Sequence, residues 1–273
     1  MVLSSLEQNI KSKIEKAGLP LKQWNVQINY GIKTGLNEAF IINEETRVQL
    51  IKKSSKSAEI IRPILRGRDI QKYKATWEGL YIIGTFPSLS INIEEYPAVK
   101  DHLLSFGENR LMQSGKNGAR KKTNNKWFET QDSISYWEDF FSPKIVWGEI
   151  SDKSKFAYDE GNLFVEATSF LLTGEKLKYL LALMNSKLLE WCFNQIGTGT
   201  GMGTNRWKKY TIGLLPIKVP TKAEEIQIEN LVNLLLKNPS GFDQKISEKI
   251  DNIIYQMYNL SSEEVKYISE VTI

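Results

Sequence analysis

One cysteine, one histidine and no extended apolar run set the first limits on this 273-residue chain. Cys192 alone excludes an internal disulfide framework and fits a reducing, cytoplasmic setting. With His102 as the single histidine there is no ligand set for zinc, and a histidine-based triad would rest on His102 alone, in a helix-like stretch. No apolar run approaches the ~20 residues of a membrane span, and the first residues lack a signal-peptide pattern, so no membrane partner is expected. Nucleotide fingerprints are missing too. The glycine run at 197–203 puts Met202 and Thr204 where a dinucleotide loop needs glycine, and it follows a helix rather than a strand. Gly115-Lys116-Asn117 lacks the Ser or Thr that ends a Walker loop. No Asp/Asn-Pro-Pro-aromatic motif occurs, so adenine-methylating chemistry is absent from this chain.

What the chain does have is charge, unevenly placed. The net charge is +4, yet residues 221–270 hold five lysines against nine acids, a balance of −4. Residues 1–220 therefore carry +8, which points to a polyanionic partner for the body of the chain. The hydrophobic content of 41% is ordinary for a globular fold, and the length suits one large domain or two modest ones.

The segment Gly31-Ile-Lys-Thr-Gly35-Leu-Asn37-Glu-Ala-Phe40-Ile-Ile42 reads as the organising element. Alternation at Trp24, Val26, Ile28 and Tyr30 predicts a half-buried strand. Gly35 and Asn37 tolerate a reversal, and Ala39–Ile42 would return as a second strand. Such a hairpin would present Lys33, Thr34 and Asn37 at its tip, suited to phosphates or base edges, or it is an ordinary surface turn.

Elsewhere the pattern alternates helix and strand. Ser4 with Glu7 forms a capping box ahead of a helix stopped by Gly18 and Pro20. Residues 44–70 turn helical in short segments broken at Ser54-Ser55 and Pro63. Strands are expected at 80–86, 144–150, 155–158, 163–172 and 212–219, and helices at 93–112, interrupted by Pro97, and at 175–196. From Thr221 onward three helices follow, the first and third opened by the capping boxes Thr221/Glu224 and Ser261/Glu264.

Two loops stand out for cations. Residues 105–127 hold Arg110, Lys116, Arg120, Lys121, Lys122 and Lys126 against one acid, Glu108, with Asn124 and Asn125 at the exit. Residues 197–210 combine four alternate glycines with Thr204, Asn205, Arg206, Lys208 and Lys209 and no acid. Glycine backbone can approach a phosphodiester closely while the cations neutralise it. The aromatic cluster at 127–147 would stack bases or fill the core. A stand-alone nuclease would have to use Asp251, Glu264 and Lys266, whose amphipathic helical setting reads instead as a solvated face.

Several motifs in order resemble the TaqI-like C-terminal specificity domain, the target-recognition domain of adenine-specific DNA methyltransferases and single-chain restriction–modification enzymes. They are Gly31-Ile32-x-Thr34-Gly35-x-Asn37-x-Ala39-Phe40, Leu65-Arg-Gly-Arg-Asp-Ile70-x-x-Tyr73, Lys144-Ile-Val-Trp147-x-Glu149-Ile150, Leu181-Ala-Leu-Met-Asn185-Ser186-Lys187 and Leu215-Pro-Ile217. Together they span roughly residues 24–220. The resemblance implies an α+β, mixed-sheet recognition domain at 24–220, an N-terminal helix or connector at 1–23 and a C-terminal helical segment at 221–273. It implies double-stranded DNA as partner and no catalysis or cofactor in this chain. The S-adenosylmethionine would belong to a methyltransferase domain, in cis or as a partner subunit, and the chain would be a piece of a longer enzyme. Sequence reading would fall to the variable loops 113–127 and 197–210. There lysines and arginines would meet phosphates, while Asn124, Asn125, Asn205 and Arg206 would meet bases. Gly67 and Asp69 would serve as turn and cap. The other readings left open are the metal-dependent nuclease and a protein–protein module docking through the C-terminal helices.

Overall fold

A computed structural model describes every residue except Met1, Val2, Met202, Pro239, Gly241 and Ile273. The N-terminal helix α1 (Ser5–Ala17) forms as the capping box dictates, with the Ser4 hydroxyl on the Glu7 amide and the Glu7 carboxylate on the Ser4 amide. Strand β1 (Gly18–Pro20) follows, then β2 (Val26–Tyr30). After a helical turn α2 (Asn37–Phe40) come β3 (Ile41–Asn43), α3 (Glu44–Lys53), β4 (Ile61–Leu65) and β5 (Leu80–Ile83). Helices α4 (Pro97–Leu104) and α5 (Glu108–Leu111) precede a long irregular stretch. Next are β6 (Lys144–Gly148), β7 (Ile150–Ser151), β8 (Phe156–Asp159), β9 (Phe164–Val165) and β10 (Ser169–Gly174). The last third runs through α6 (Leu177–Met184), α7 (Lys187–Ile196), β11 (Thr198–Gly199), β12 (Asn205–Arg206), α8 (Lys209–Ile212) and β13 (Pro216–Lys218). It ends in α9 (Lys222–Lys237), α10 (Gln244–Met257) and α11 (Ser262–Val271). The class is α+β, and among the described residues the named strands pair antiparallel except β4 with β9. Among the described residues no helix is long and apolar enough to cross a membrane.

The central sheet has the order β2-β10-β6-β8. Its inner strands β6 and β10 carry the apolar runs Ile145–Trp147 and Phe170–Leu172 because both of their faces are covered, while the edge strand β2 alternates. Ile145, Trp147, Phe170 and Leu172 face one cluster with α1, α6, α7 and the C-terminal helices. Val146, Ala157 and Leu171 face another, with Ile64, Leu65, Ile82 and Phe164 from the β3-β5-β4-β9 sheet. A third cluster joins α2, α3 and α4 to Tyr81, Ile83 and Phe128.

The hairpin expected at 24–42 does not form. β2 pairs with β10, whereas β3 pairs with β5 in a different sheet. The Ala39 and Phe40 amides bond back to the Leu36 carbonyl, so this segment makes the helical turn α2, with both side chains buried, before β3 begins at Ile41. Gly31 is the crossing point. A Cβ there would lie 2.0 Å from the Glu166 carbonyl oxygen, and Ile32 bridges Glu166 immediately afterwards. Gly31→Ala is therefore expected to destabilise the fold by about 3 kcal/mol, since backbone rather than a side-chain tip must yield. Urea denaturation checks this, and an unchanged midpoint would remove the crossing from the account.

Other elements differ from expectation for local reasons. Residues 61–65 form a strand, not a helix. The run is rich in isoleucine, and Pro63 sits at its last pair with β5, before the strand turns to β9. The 93–112 stretch breaks at Gly107, whose φ is +92°. Residues 163–172 split into β9 and β10 around Thr168, at φ +72°. The apolar stretch 175–196 is two helices. Asn185 leaves the helix to bond both the amide (3.1 Å) and carbonyl (2.8 Å) of Phe156, and Ser186 caps α7. The last strand shortens to Pro216–Lys218, because Ile212 ends a helical turn.

Candidate nucleic-acid interface

The three predicted contact segments meet different fates. Thr34 is fully buried. Its hydroxyl donates to Asn37 Oδ1 at 2.6 Å and accepts from the Leu36 amide at 3.1 Å, so it fixes the turn and is not displayed. Asn37 is exposed at the start of α2 with its side-chain oxygen engaged by Thr34, while Lys33 reaches solvent. The Lys33 carbonyl accepts from Gln131 and Asp132, which ties this turn to the exit of the first basic loop. Burial pushes the Asp132 carboxyl above its ordinary range, and Lys33 and Lys121 beside it oppose the shift.

That loop has no regular structure, yet it is anchored. Arg120 was expected at a phosphate and is instead 4% exposed. Its guanidinium donates to the carbonyls of Leu111 (2.9 Å), Thr34 (2.7 Å), Glu129 (2.8 Å) and Trp127 (2.6 Å). A planar group with five donors can satisfy several converging carbonyls where water cannot reach, and that is why an arginine sits inside. Asn125 is likewise turned inward, donating to the carbonyls of Thr130 and Gln131. Lys116, Lys121, Lys122, Asn124 and Lys126 do face solvent.

The glycine loop is a β-ribbon. β11 pairs with β12, and β12 pairs with β7, so Asn205 and Arg206 lie on the middle strand of a three-stranded sheet. Trp207 anchors it, stacked at 3.8 Å on Phe193, while its carbonyl accepts from the Trp147 indole. Arg206 pairs with Glu149 at 2.9 Å, Asn205 donates to Asn194, and the Thr204 and Thr200 hydroxyls share a hydrogen bond. Lys208 and Lys209 are half-buried, each with its ammonium near a tyrosine ring.

Beside the ribbon, at Thr204, lies a cleft of about 630 Å³ that sequence reasoning missed. Its floor is the approach of Gly67 to Gly148, where a Cβ on Gly148 would stand 3.3 Å from the Gly67 carbonyl oxygen. The Leu65–Ile70 and Lys144–Ile150 motifs thus meet there, joined by Glu166, Thr168 and Thr204. Asp69 builds the turn above the floor, accepting from the Arg66 amide and holding its guanidinium by two bonds of 2.8 Å. Arg68, Gln71 and Lys155 line the cleft as donors, Glu149, Asp152 and Glu166 as acceptors. Burial raises the Glu166 carboxyl, with Arg66 and Arg68 opposing. A phosphate would meet three carboxylates here. Base edges, which present donors and acceptors side by side, match a lining of both kinds. The signal in the sequence was the glycine in each of two motifs, and nothing local said that they touch.

The carboxylates of the nuclease reading serve separate helices. Asp251 accepts from the Lys187 amide at the start of α7, and Glu264 caps α11 and pairs with Lys13. Among the described residues no group of three or more His, Cys, Asp or Glu is placed to hold a metal ion.

No curated protein matches the chain. Among solved structures it is similar to the type IIL restriction-modification enzyme MmeI in complex with DNA, at 13% identity and TM-score 0.57, over 89% of this chain and 36% of that one. It is also similar to the type IIG restriction endonuclease BpuSI, at 14% identity and TM-score 0.54, over 94% and 34%. The chain spans about a third of the length of either enzyme, and at these identities the likeness is one of fold. Residues 62–217, more than half of the chain, match the family model itself: the protein belongs to the family of TaqI-like C-terminal specificity domains.

Proposed function

We propose that this chain is the double-stranded DNA recognition module of a restriction–modification enzyme and is not catalytic by itself. The observation that carries this reading is the convergence of two family motifs on a cleft of mixed polarity, beside the Thr204 ribbon, in a chain that also exposes the lysines of the 113–127 loop. Lys33, Lys116, Lys121, Lys122 and Lys126 would hold phosphates. Cleft side chains, with Thr204, Asn205 and Arg206 on the ribbon beside it, would read base edges. The methylating half, adenine-specific and holding S-adenosylmethionine, would be another domain of a longer polypeptide or a partner subunit. Ile226 and Leu234, half exposed on α9, leave apolar surface on the C-terminal helices that such a neighbour could cover.

Binding of a mixed-sequence duplex, followed by fluorescence anisotropy, should weaken steeply as salt rises, because displaced counterions return to the DNA. Lys121→Glu with Lys122→Glu should weaken binding to every sequence alike and flatten the salt dependence by about one unit per lost phosphate contact. Arg206→Ala should instead change the sequences enriched from a random duplex pool, by about 1–3 kcal/mol at the position it reads. A chain with no affinity for duplex at low salt would end the proposal.

A further inference from the structure

A second groove, of about 640 Å³, runs between β2 and the α8 turn on another part of the surface. Two tyrosine rings open into it, Tyr30 at 55% exposure and Tyr210 at 61%. Lys22 and Lys209 line it as well, and no Asp or Glu is among its lining residues. This contrasts with the cleft, whose wall holds three carboxylates.

The Tyr30 ring is not a loose surface group. It packs on Phe170 at 5.2 Å, which stacks in turn on the core Trp147 at 5.3 Å. The Tyr30 carbonyl accepts from the Tyr136 hydroxyl at 2.9 Å. Lys209 Nζ stands 5.9 Å from the centre of the Tyr30 ring, and Lys208 Nζ 6.0 Å from that of Tyr210. Each ring thus keeps an ammonium within reach.

One aromatic ring backed by the core, a second exposed beside it, ammonium groups and the lack of carboxylates in the lining suit a polyanion that also offers flat apolar faces. A paired duplex buries its base faces in its own stack and could give these rings only phosphates. An unpaired nucleotide gives both. Stacking of a base on an aromatic ring outweighs an exposed ammonium–ring contact, so an arriving base displaces the lysine, which is then free to meet the adjoining phosphate.

We propose that the groove between Tyr30 and Tyr210 binds an unpaired stretch of a DNA strand, bases stacked on the two rings and Lys22, Lys208 and Lys209 on its phosphates. The proposal rests on the DNA-recognition reading and adds to it a second, sequence-tolerant contact. The test compares the affinity of the 273-residue chain for a fully paired duplex and for the same duplex with a short central bubble of unpaired bases. The bubble should bind about tenfold more tightly. Tyr30→Leu with Tyr210→Leu should abolish that preference while leaving affinity for the paired duplex unchanged, which also shows that the variant is folded. Equal affinity of the parent chain for both DNAs, or a preference that survives in the double variant, would overturn the groove assignment alone. Failure to bind either DNA would overturn it together with the reading beneath it.

Discussion

Arg120→Ala is expected to cost about 3–4 kcal/mol of folding free energy, far more than the loss of one phosphate contact. The guanidinium joins four carbonyls from three places in the chain, Thr34, Leu111 and the 127–129 turn. Its own backbone adds two more links, its amide to Met112 and its carbonyl to Gly115. Burial pushes its pKa down to about 10, with Glu129 opposing, so it remains charged at neutral pH. Truncation leaves buried carbonyls without donors, and Arg120→Lys should rescue little, because one ammonium cannot reproduce a planar fork. Chemical denaturation measures the cost, and hydrogen exchange should speed up first at the Gly115 and Thr123 amides, which the loop holds. A stable Arg120→Ala protein that bound DNA weakly would return this arginine to the interface.

Asp159→Ala should destabilise by a similar or larger amount, about 3–5 kcal/mol. The Lys144 side chain is fully buried at the start of the Lys144–Ile150 motif, and its ammonium meets the Asp159 carboxylate and, at 2.7 Å, the Phe140 carbonyl. The same carboxylate oxygen accepts the amides of Gly161, Asn162 and Leu163. Removing it strands a buried cation and three N–H groups. Lys144→Met should cost less, because Asp159 keeps its amides.

The pH dependence follows in sign. Burial already holds the Lys144 ammonium below the ordinary lysine range, with Asp159 opposing the shift. Without Asp159 the folded pKa falls further, and the folded state binds fewer protons than the unfolded one in the interval up to the unfolded value of about 10.4. The deficit of Asp159→Ala should therefore shrink as pH rises through that interval, and urea titrations across it provide the check. A deficit that grew with pH would contradict a charged Lys144.

Much of the candidate interface was legible as charge, and little of it as geometry. The two basic loops are plain in the sequence, because composition is a local property. Whether a given cation in them faces DNA is not. Lys121 and Arg120 are neighbours of the same sign, yet one is exposed and the other bonds a carbonyl 86 residues away. The cleft was invisible for the same reason, since Gly67 and Gly148 meet only once the sheet that holds β4 has packed on the sheet that holds β6 and β10.

The sequence by itself determined the features that depend on contacts within a turn or two of chain. The capping boxes at Ser4, Thr221 and Ser261 form where they are written, and the apolar stripes after Thr221 become α9, α10 and α11. The segment at 31–42 marks the limit. Its glycines and asparagine announce a change of direction, but a hairpin and a crossing between sheets need the same residues. Only the tertiary structure decided between them, because Tyr30 pairs with Phe170 and Ile32 bridges Glu166, partners more than a hundred residues distant whose burial outweighs any local turn preference.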